Sequence, residues 1–82
     1  MPLPADSSAK PTAANEVAIV VNGEPIAVPA ASPVTVLLGR LGLSGRPLAV
    51  EINRQVVPRR LLGEHLLAAG DVVEIVTLVG GG

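Results

Sequence analysis

The sequence contains no cysteine and none of the aromatic residues phenylalanine, tyrosine and tryptophan among its 82 residues. Without cysteine, the chain can form neither a disulfide nor a thiolate metal site, and any sulfur chemistry must use another group. Without aromatic rings, the core must be packed from aliphatic side chains. The stacking surfaces that single-strand nucleic-acid binders use are also missing.

Charge is sparse and balanced. The sequence has six Lys and Arg residues and seven Asp and Glu residues, which gives a formal net charge of −1. A basic face is the usual mark of nucleic-acid binding, so the composition argues against an RNA- or DNA-binding role. No apolar run reaches membrane-spanning length, and the start of the chain lacks the features of a signal peptide. We therefore expect a cytoplasmic protein that does not bind membranes.

The chain divides into three parts. Residues 1–15 are rich in proline and small residues without periodicity, which predicts a disordered N-terminal arm. Residues 16–79 are predicted to form one small domain. Residues 80–82 are three glycines, which predict a flexible C-terminal tail.

The first part of the domain predicts a hairpin at a sheet edge. Two apolar runs flank Asn22-Gly23, the strongest two-residue hairpin signal. Pro25 and Pro29 in the second run cannot donate to a ladder, so that strand should lie at an edge. The two strands are predicted at residues 17–21 and 24–28.

A helix is predicted next. Ser32 is the expected N-cap and Pro33 the first helical residue, while Gly42 is the expected stop. Apolar residues at helical spacing form the stripe that should face the core. They are Val34, Leu37, Leu38 and Leu41.

The second half predicts three further strands and a helical turn. Residues 48–53 alternate between apolar and polar, and residues 55–57 form a brief strand before Pro58. Residues 59–69 favour a helical turn, with Leu61, Leu62, Leu66 and Leu67 available for packing. The last strand, residues 72–79, is apolar at nearly every position, which is typical of a strand that is central or buried on both faces. This order predicts an α+β two-layer domain.

These segments resemble the ThiS sulfur carriers of thiamine biosynthesis, which are ubiquitin-like β-grasp proteins. The resemblance rests on the opening hairpin at residues 21–24, the middle segment at 49–59, and the closing segment at 70–76 with the glycine end. It implies a mixed sheet of four to five strands with one main helix packed across it.

The resemblance also implies a mechanism. The carboxylate of Gly82 would be adenylated by an ATP-dependent activating enzyme and converted to a thiocarboxylate, which donates sulfur to a thiazole synthase. Gly80 and Gly81 would extend the reach of the terminus. The chain would be a recycled co-substrate and not a catalyst, and it would bind no cofactor or metal. Its sulfur would come from sulfide or from a sulfur-donor protein. The chain alone is expected to be a monomer.

A partner needs a surface to bind. We expect an apolar docking patch on the exposed sheet face near the tail, including some of Val20, Val76 and Leu78. For any one of these residues, a place in the core is the competing interpretation.

Three alternative functions remain open from the sequence. The chain could carry sulfur for another pathway such as molybdopterin synthesis, act as a protein modifier conjugated through Gly82, or be a plain binding module with an inert tail. Residues 76–79 precede the glycines where the molybdopterin branch usually has a proline-containing polar segment, which favours the thiamine branch. His65 has no catalytic residues beside it in the sequence.

Overall fold

The computed structural model describes residues 15–78. The predicted disordered arm, apart from Asn15, and the predicted glycine tail lie outside these described residues. The described part contains five strands, one α-helix and one 3₁₀ helix. The strands are β1 (Glu16–Val21), β2 (Glu24–Pro29), β3 (Leu48–Ile52), β4 (Gln55–Val57) and β5 (Val72–Thr77), and the helix is α1 (Val34–Arg40).

The five strands form one mixed sheet in the order β2-β1-β5-β3-β4. The pair β1 and β5 is parallel, whereas the other three neighbouring pairs are antiparallel. The hairpin of β1 and β2 therefore does not pair with the hairpin of β3 and β4, because β5 lies between them and pairs with both. This arrangement confirms the predicted α+β architecture, and β2 lies at the edge as its prolines indicated.

Both hairpins turn through two residues with positive φ. Asn22 and Gly23 have φ of 50° and 84°, and Asn53 and Arg54 have φ of 52° and 71°. Positive φ at both central positions is the conformation that matches the right-handed twist of the strands. The first turn confirms the hairpin predicted from Asn22-Gly23, while Arg54 takes a conformation that glycine adopts more readily.

The start of α1 differs from its prediction. The N-cap residue is Pro33, with φ −67° and ψ 156°, so the helix begins one residue later than expected. The predicted cap, Ser32, is buried, and its hydroxyl donates to the Pro29 carbonyl at 2.6 Å instead of to the helix. The N–H group of Val34 donates to the carbonyl of His65 at 3.1 Å. The segment that contains His65, and not the side chain of Ser32, therefore accepts a hydrogen bond from the first turn of the helix.

The end of α1 follows its prediction more closely. Gly42 has φ of 73°, and its N–H donates to the Gly39 carbonyl at 3.2 Å. The N–H of Leu43 donates to the Leu38 carbonyl at 2.8 Å, which completes the two bonds of a Schellman motif. The predicted stop at Gly42 is confirmed. The inclusion of Leu41 in the buried stripe was wrong, because it lies past the last helical residue and is 37% exposed.

Residues 59–71 connect β4 to β5 along the helix side of the sheet. A 3₁₀ helix covers Arg59–Leu61, and the rest of the segment runs in turns. Of the four leucines predicted to pack, Leu62 and Leu67 are buried, Leu61 is half-buried and Leu66 is 54% exposed. Irregular turns do not follow a helical period, so the period could not separate Leu66 from Leu67.

The core lies between one sheet face and the helix with its connecting segment. It is wholly aliphatic, as the composition requires. Its fully buried members are Ile19, Val28, Val34, Leu37, Val50, Leu67 and Val73. Among residues 15–78, the structure has no helix with the length and apolar character that a membrane span requires.

The strand β5 is central, as its composition indicated, but only one of its faces is buried. Val73 and Ile75 point into the core, whereas Val72 and Val76 are 47% and 59% exposed on the opposite face. Of the two alternatives that the composition of β5 left open, the structure shows the central position and not burial on both faces. The outer sheet face carries apolar side chains that the described residues leave in solvent.

Candidate functional site

The candidate site is the end of β5, where the described chain leaves the sheet. The N–H of Leu78 donates to the carbonyl of Pro47 at 2.9 Å, one residue beyond the strand. The sequence continues for four residues, to Gly82. Extended chain spans about 3.3 to 3.6 Å per residue, so four residues give a reach of at most about 14 Å from this anchor.

Two asparagines from the hairpin turns fasten β5 by their side chains. The amide of Asn22 accepts from the N–H of Ile75 at 2.8 Å and donates to the carbonyl of the same residue at 3.3 Å. The amide of Asn53 accepts from the N–H of Val72 at 3.0 Å and donates to the carboxylate of Asp71, also at 3.0 Å. Both contacts hold the strand that leads to the C-terminus in a fixed position.

The sequence did not reveal these bonds. The dipeptide Asn22-Gly23 predicts a hairpin turn, which explains the backbone conformation of Asn22 but not the hydrogen bonds of its side chain. The only sequence signal was that asparagine stands first in both two-residue turns. Asparagine tolerates positive φ and also carries a donor and an acceptor, so it can serve the turn and a neighbouring strand together.

The three residues of the expected docking patch lie on or beside the outer sheet face, in two places. Val76 and Leu78 are 59% and 53% exposed at the end of β5 from which the tail leaves. Val20 is half-buried and is in register with Val72 at the other end of β5. Val76 is four positions after Val72 in β5, which corresponds to about 13 Å along the strand. The structure thus brings Val76 and Leu78 together and places Val20 apart from them.

Two glutamates face each other on the same surface. Glu51 of β3 is directly opposite Glu74 of β5, and Val56 of β4 is opposite Glu51 on its other side. The spacing of Glu51 and Glu74 along the sequence predicts neither an acid/base pair nor a metal site. Strand alternation places each of them outward, but only the register, which the sequence does not fix, shows that they are neighbours.

The remaining candidates form no catalytic arrangement among the described residues. His65 is half-buried, and its backbone carbonyl accepts from the N–H of Val34. Within residues 15–78, there is no group of three His, Cys, Asp or Glu side chains that could hold a metal ion. A cavity of about 180 Å³ lies beside α1, between Leu38 and Arg59. Its volume is below the range of about 300 to 1,000 Å³ that is usual for small-molecule sites.

The predicted reactive terminus, Gly82, and its neighbours Gly80 and Gly81 lie outside the described residues. The structure therefore defines the base from which they extend and not their own geometry. That base is a central strand held on both sides by backbone pairing and by the two asparagines.

Comparison with known proteins gives matches over most of the chain. The model of the ThiS family matches residues 14–82, which include the three final glycines. A crystal structure of the thiamine biosynthesis protein ThiS from Geobacter metallireducens superimposes with a TM-score of 0.69. That protein is 32% identical in sequence, and the match covers 80% of this chain and 100% of the other.

Two curated relatives differ greatly in length. A thiazole synthase of Paramagnetospirillum magneticum is 41% identical over 64 residues, which is 78% of this chain but only 20% of that protein. The protein ycf40 of Porphyra purpurea is 36% identical over 66 residues, which is 80% of this chain and 93% of that protein. The chain therefore spans about a fifth of the thiazole synthase that it matches, and nearly all of the algal relative.

Proposed function

Because the chain belongs to the ThiS family, we propose that it is a sulfur carrier of thiamine biosynthesis and that the carboxylate of Gly82 is the group that carries the sulfur. The observation that carries this proposal is the extent of the family match, which runs from residue 14 through Gly82 and so includes the glycine end. On this proposal the chain is a protein co-substrate, while the catalysis belongs to its partners.

The chemistry has two steps because a free carboxylate is a poor electrophile. In the first step, a carboxylate oxygen of Gly82 attacks the α-phosphorus of ATP on an activating enzyme. Pyrophosphate leaves and an acyl-adenylate forms. In the second step, sulfide or a persulfide of a donor protein attacks the acyl carbon and AMP leaves. After reduction of any mixed disulfide by a thiol, the product is a thiocarboxylate.

The thiocarboxylate is a nucleophile that can transfer its sulfur to a thiazole-forming enzyme. When the carbon–sulfur bond is then hydrolysed, the carboxylate is restored and the chain can be activated again. The chain itself holds no cofactor in this scheme, since ATP is bound and consumed by the activating enzyme.

The structure supports the delivery step by its rigid base. The strand β5 is fixed on both edges, and the bond from the Leu78 N–H to the Pro47 carbonyl holds the chain until four residues before its end. Glycine side chains occupy no space, so a glycine terminus can enter a narrow active site. A rigid base with a short unbranched arm limits the positions that the carboxylate can reach.

A thiazole synthase is the proposed acceptor. A protein with that name contains a segment 41% identical to this chain. The occurrence of a related segment within a thiazole synthase supports the view that carrier and synthase act in one reaction.

Intact mass spectrometry tests the proposal. The full chain is incubated with ATP, sulfide and the activating enzyme of the same organism, and its mass is then measured. We expect a gain that corresponds to the exchange of one oxygen for sulfur, located at Gly82 by fragmentation. A variant without Gly81 and Gly82 is the control, and it should gain nothing.

Other results have distinct meanings. Attachment of the chain to lysines of other proteins, without uptake of sulfur, would identify a protein modifier. An unchanged mass, with an activating enzyme that is active on a known carrier, would contradict the proposed function.

A further inference from the structure

The outer sheet face has a pair of like charges at its centre. Glu51 and Glu74 occupy directly opposite positions on neighbouring antiparallel strands. Side chains in such positions have Cβ atoms about 4.5 to 5.5 Å apart, and like charges placed there destabilise the sheet. The glutamate pair therefore lowers the stability of the sheet, and it lies on the sheet face that does not contact the core.

No cation of the described residues neutralises this pair. Within residues 15–78, neither glutamate forms an ion pair or a side-chain hydrogen bond. Arg54 lines the same surface hollow as Glu74 but makes no ion pair with it. None of the five strands contains a lysine or an arginine. No residue between 15 and 78 therefore uses the hydrogen-bonding capacity of the two carboxylates.

The pair is surrounded by exposed apolar side chains. Val72 and Val76 precede and follow Glu74 on the outer face of β5, with exposures of 47% and 59%, and Val56 beside Glu51 is 66% exposed. A partner that covers these valines must also remove water from the two carboxylates. Such desolvation is strongly unfavourable for each carboxylate unless a cation or several hydrogen-bond donors replace the water.

These features point to a partner surface of definite chemistry. Resting on the function proposed above, we infer that the activating enzyme binds this face through an arginine or lysine that is set among apolar side chains. The cation lies between Glu51 and Glu74, and the apolar side chains cover Val56, Val72 and Val76. The glutamates select the partner, since a purely apolar surface would bury them without compensation.

A second copy of this chain is a poor occupant of the face. A two-fold symmetric contact brings the same patch of both copies together. The five strands supply no cation to this face, and Arg54, which lines the hollow beside Glu74, lies in the turn between β3 and β4. A symmetric contact centred on the glutamate pair would therefore place carboxylates against carboxylates. The charge of the face therefore favours a different protein with a basic residue.

The test compares charge-neutral variants of similar shape. Glu51→Gln, Glu74→Gln and the double variant are titrated with the activating enzyme by calorimetry at low and at high salt. Glu64→Gln is the matched control, because Glu64 is exposed in the segment that packs on the helix side of the sheet. The melting temperature of each variant is measured in parallel.

We expect the double variant to bind about tenfold more weakly or worse at low salt, and to show less dependence on salt than the natural protein. The control should bind as the natural protein does. Glu74→Gln should raise the melting temperature by about 1 to 5 °C, because it removes the repulsion across the strands. A loss of binding with a gain in stability cannot come from damage to the fold.

Four outcomes would overturn the inference. Equal binding of the natural protein and the double variant, with adenylation of Gly82 intact, would reject the inference and leave the proposed function standing. A natural protein that the enzyme neither binds nor adenylates would reject the proposed function and the inference with it. A dimer of this chain that the glutamine variants weaken or strengthen would assign the face to a second copy. If the effects of Lys10→Gln and Glu74→Gln on the melting temperature are not additive, the face would be assigned to the first residues of the chain itself.

Discussion

The side chain of Asn22 shows how one residue can serve two elements. Its backbone, with φ of 50°, turns the first hairpin, and its amide makes two hydrogen bonds to the backbone of Ile75 in β5. The hairpin turn could be predicted because Asn-Gly is a local signal. The bonds to Ile75 could not, since they join residues 53 positions apart in the sequence.

Replacement of Asn22 by glycine separates these two roles. Glycine keeps the positive φ but removes the amide, so Ile75 loses a donor and an acceptor at once. We expect the free energy of unfolding to fall by about 1 to 3 kcal/mol, as measured by urea denaturation. Asn15→Gly is the control, because the Asn15 side chain makes no hydrogen bond within the described residues. Equal losses in the two variants would show that the amide bonds contribute nothing.

At the scale of elements, the start of α1 depends on a distant segment. The N–H groups of Val34 and Thr35 donate to the carbonyls of His65 and Leu62, and Leu67 donates in return to the carbonyl of Ser32. The sequence predicted that a helix exists near residue 34 from its apolar period and its glycine stop. It could not predict this cap, because the capping groups are backbone carbonyls whose position depends on tertiary packing.

Replacement of Leu67 in the connecting segment should therefore lower the stability of the protein, whereas replacement of its neighbour Leu66 should not. Leu67→Ala empties a site that is 2% exposed, which should lower the free energy of unfolding by about 2 to 5 kcal/mol. Leu66 is 54% exposed, and its replacement by alanine should change stability by less than about 0.5 kcal/mol. Chemical denaturation of both variants provides the comparison. Similar losses at the two positions would mean that the segment packs differently from the structure.

At the scale of the whole molecule, the class of fold and the family could be predicted from the sequence, while the surface could not. The period of β3 showed which of its residues point inward, and the order of elements predicted the α+β class. The strand β5 is apolar at nearly every position, so its sequence did not separate the buried face from the exposed one. The strand order and register required the structure, because each strand could have paired with several others. The neighbouring positions of Glu51 and Glu74, and the distance of Val20 from Val76, follow from that register.

The outer face should matter for activation and not for folding. Val76→Ser removes an apolar side chain that is 59% exposed, so the melting temperature should change little. If the activating enzyme buries Val76, the loss of apolar contact of about 1.5 kcal/mol should raise KM for this chain about tenfold in a pyrophosphate-exchange assay.

Val36 provides the matched control for this prediction. It is the same residue type, 40% exposed on α1 and away from the outer sheet face. Val36→Ser should leave KM unchanged. If KM for Val76→Ser equals that of the natural chain, or if KM rises in both variants, Val76 does not contribute specifically to the contact with the activating enzyme.

The central position of β5 also has a consequence for the order of events during synthesis. The two hairpins are translated first, yet neither pairs with the other, because the strand between them is the last of the five to leave the ribosome. A shorter nascent chain therefore has two separate hairpins, and isolated hairpins are at best marginally stable in water. The sheet closes only after residues 72–77 have emerged. Translation that stops before residue 72 consequently yields a polypeptide that lacks the central strand and cannot form this sheet.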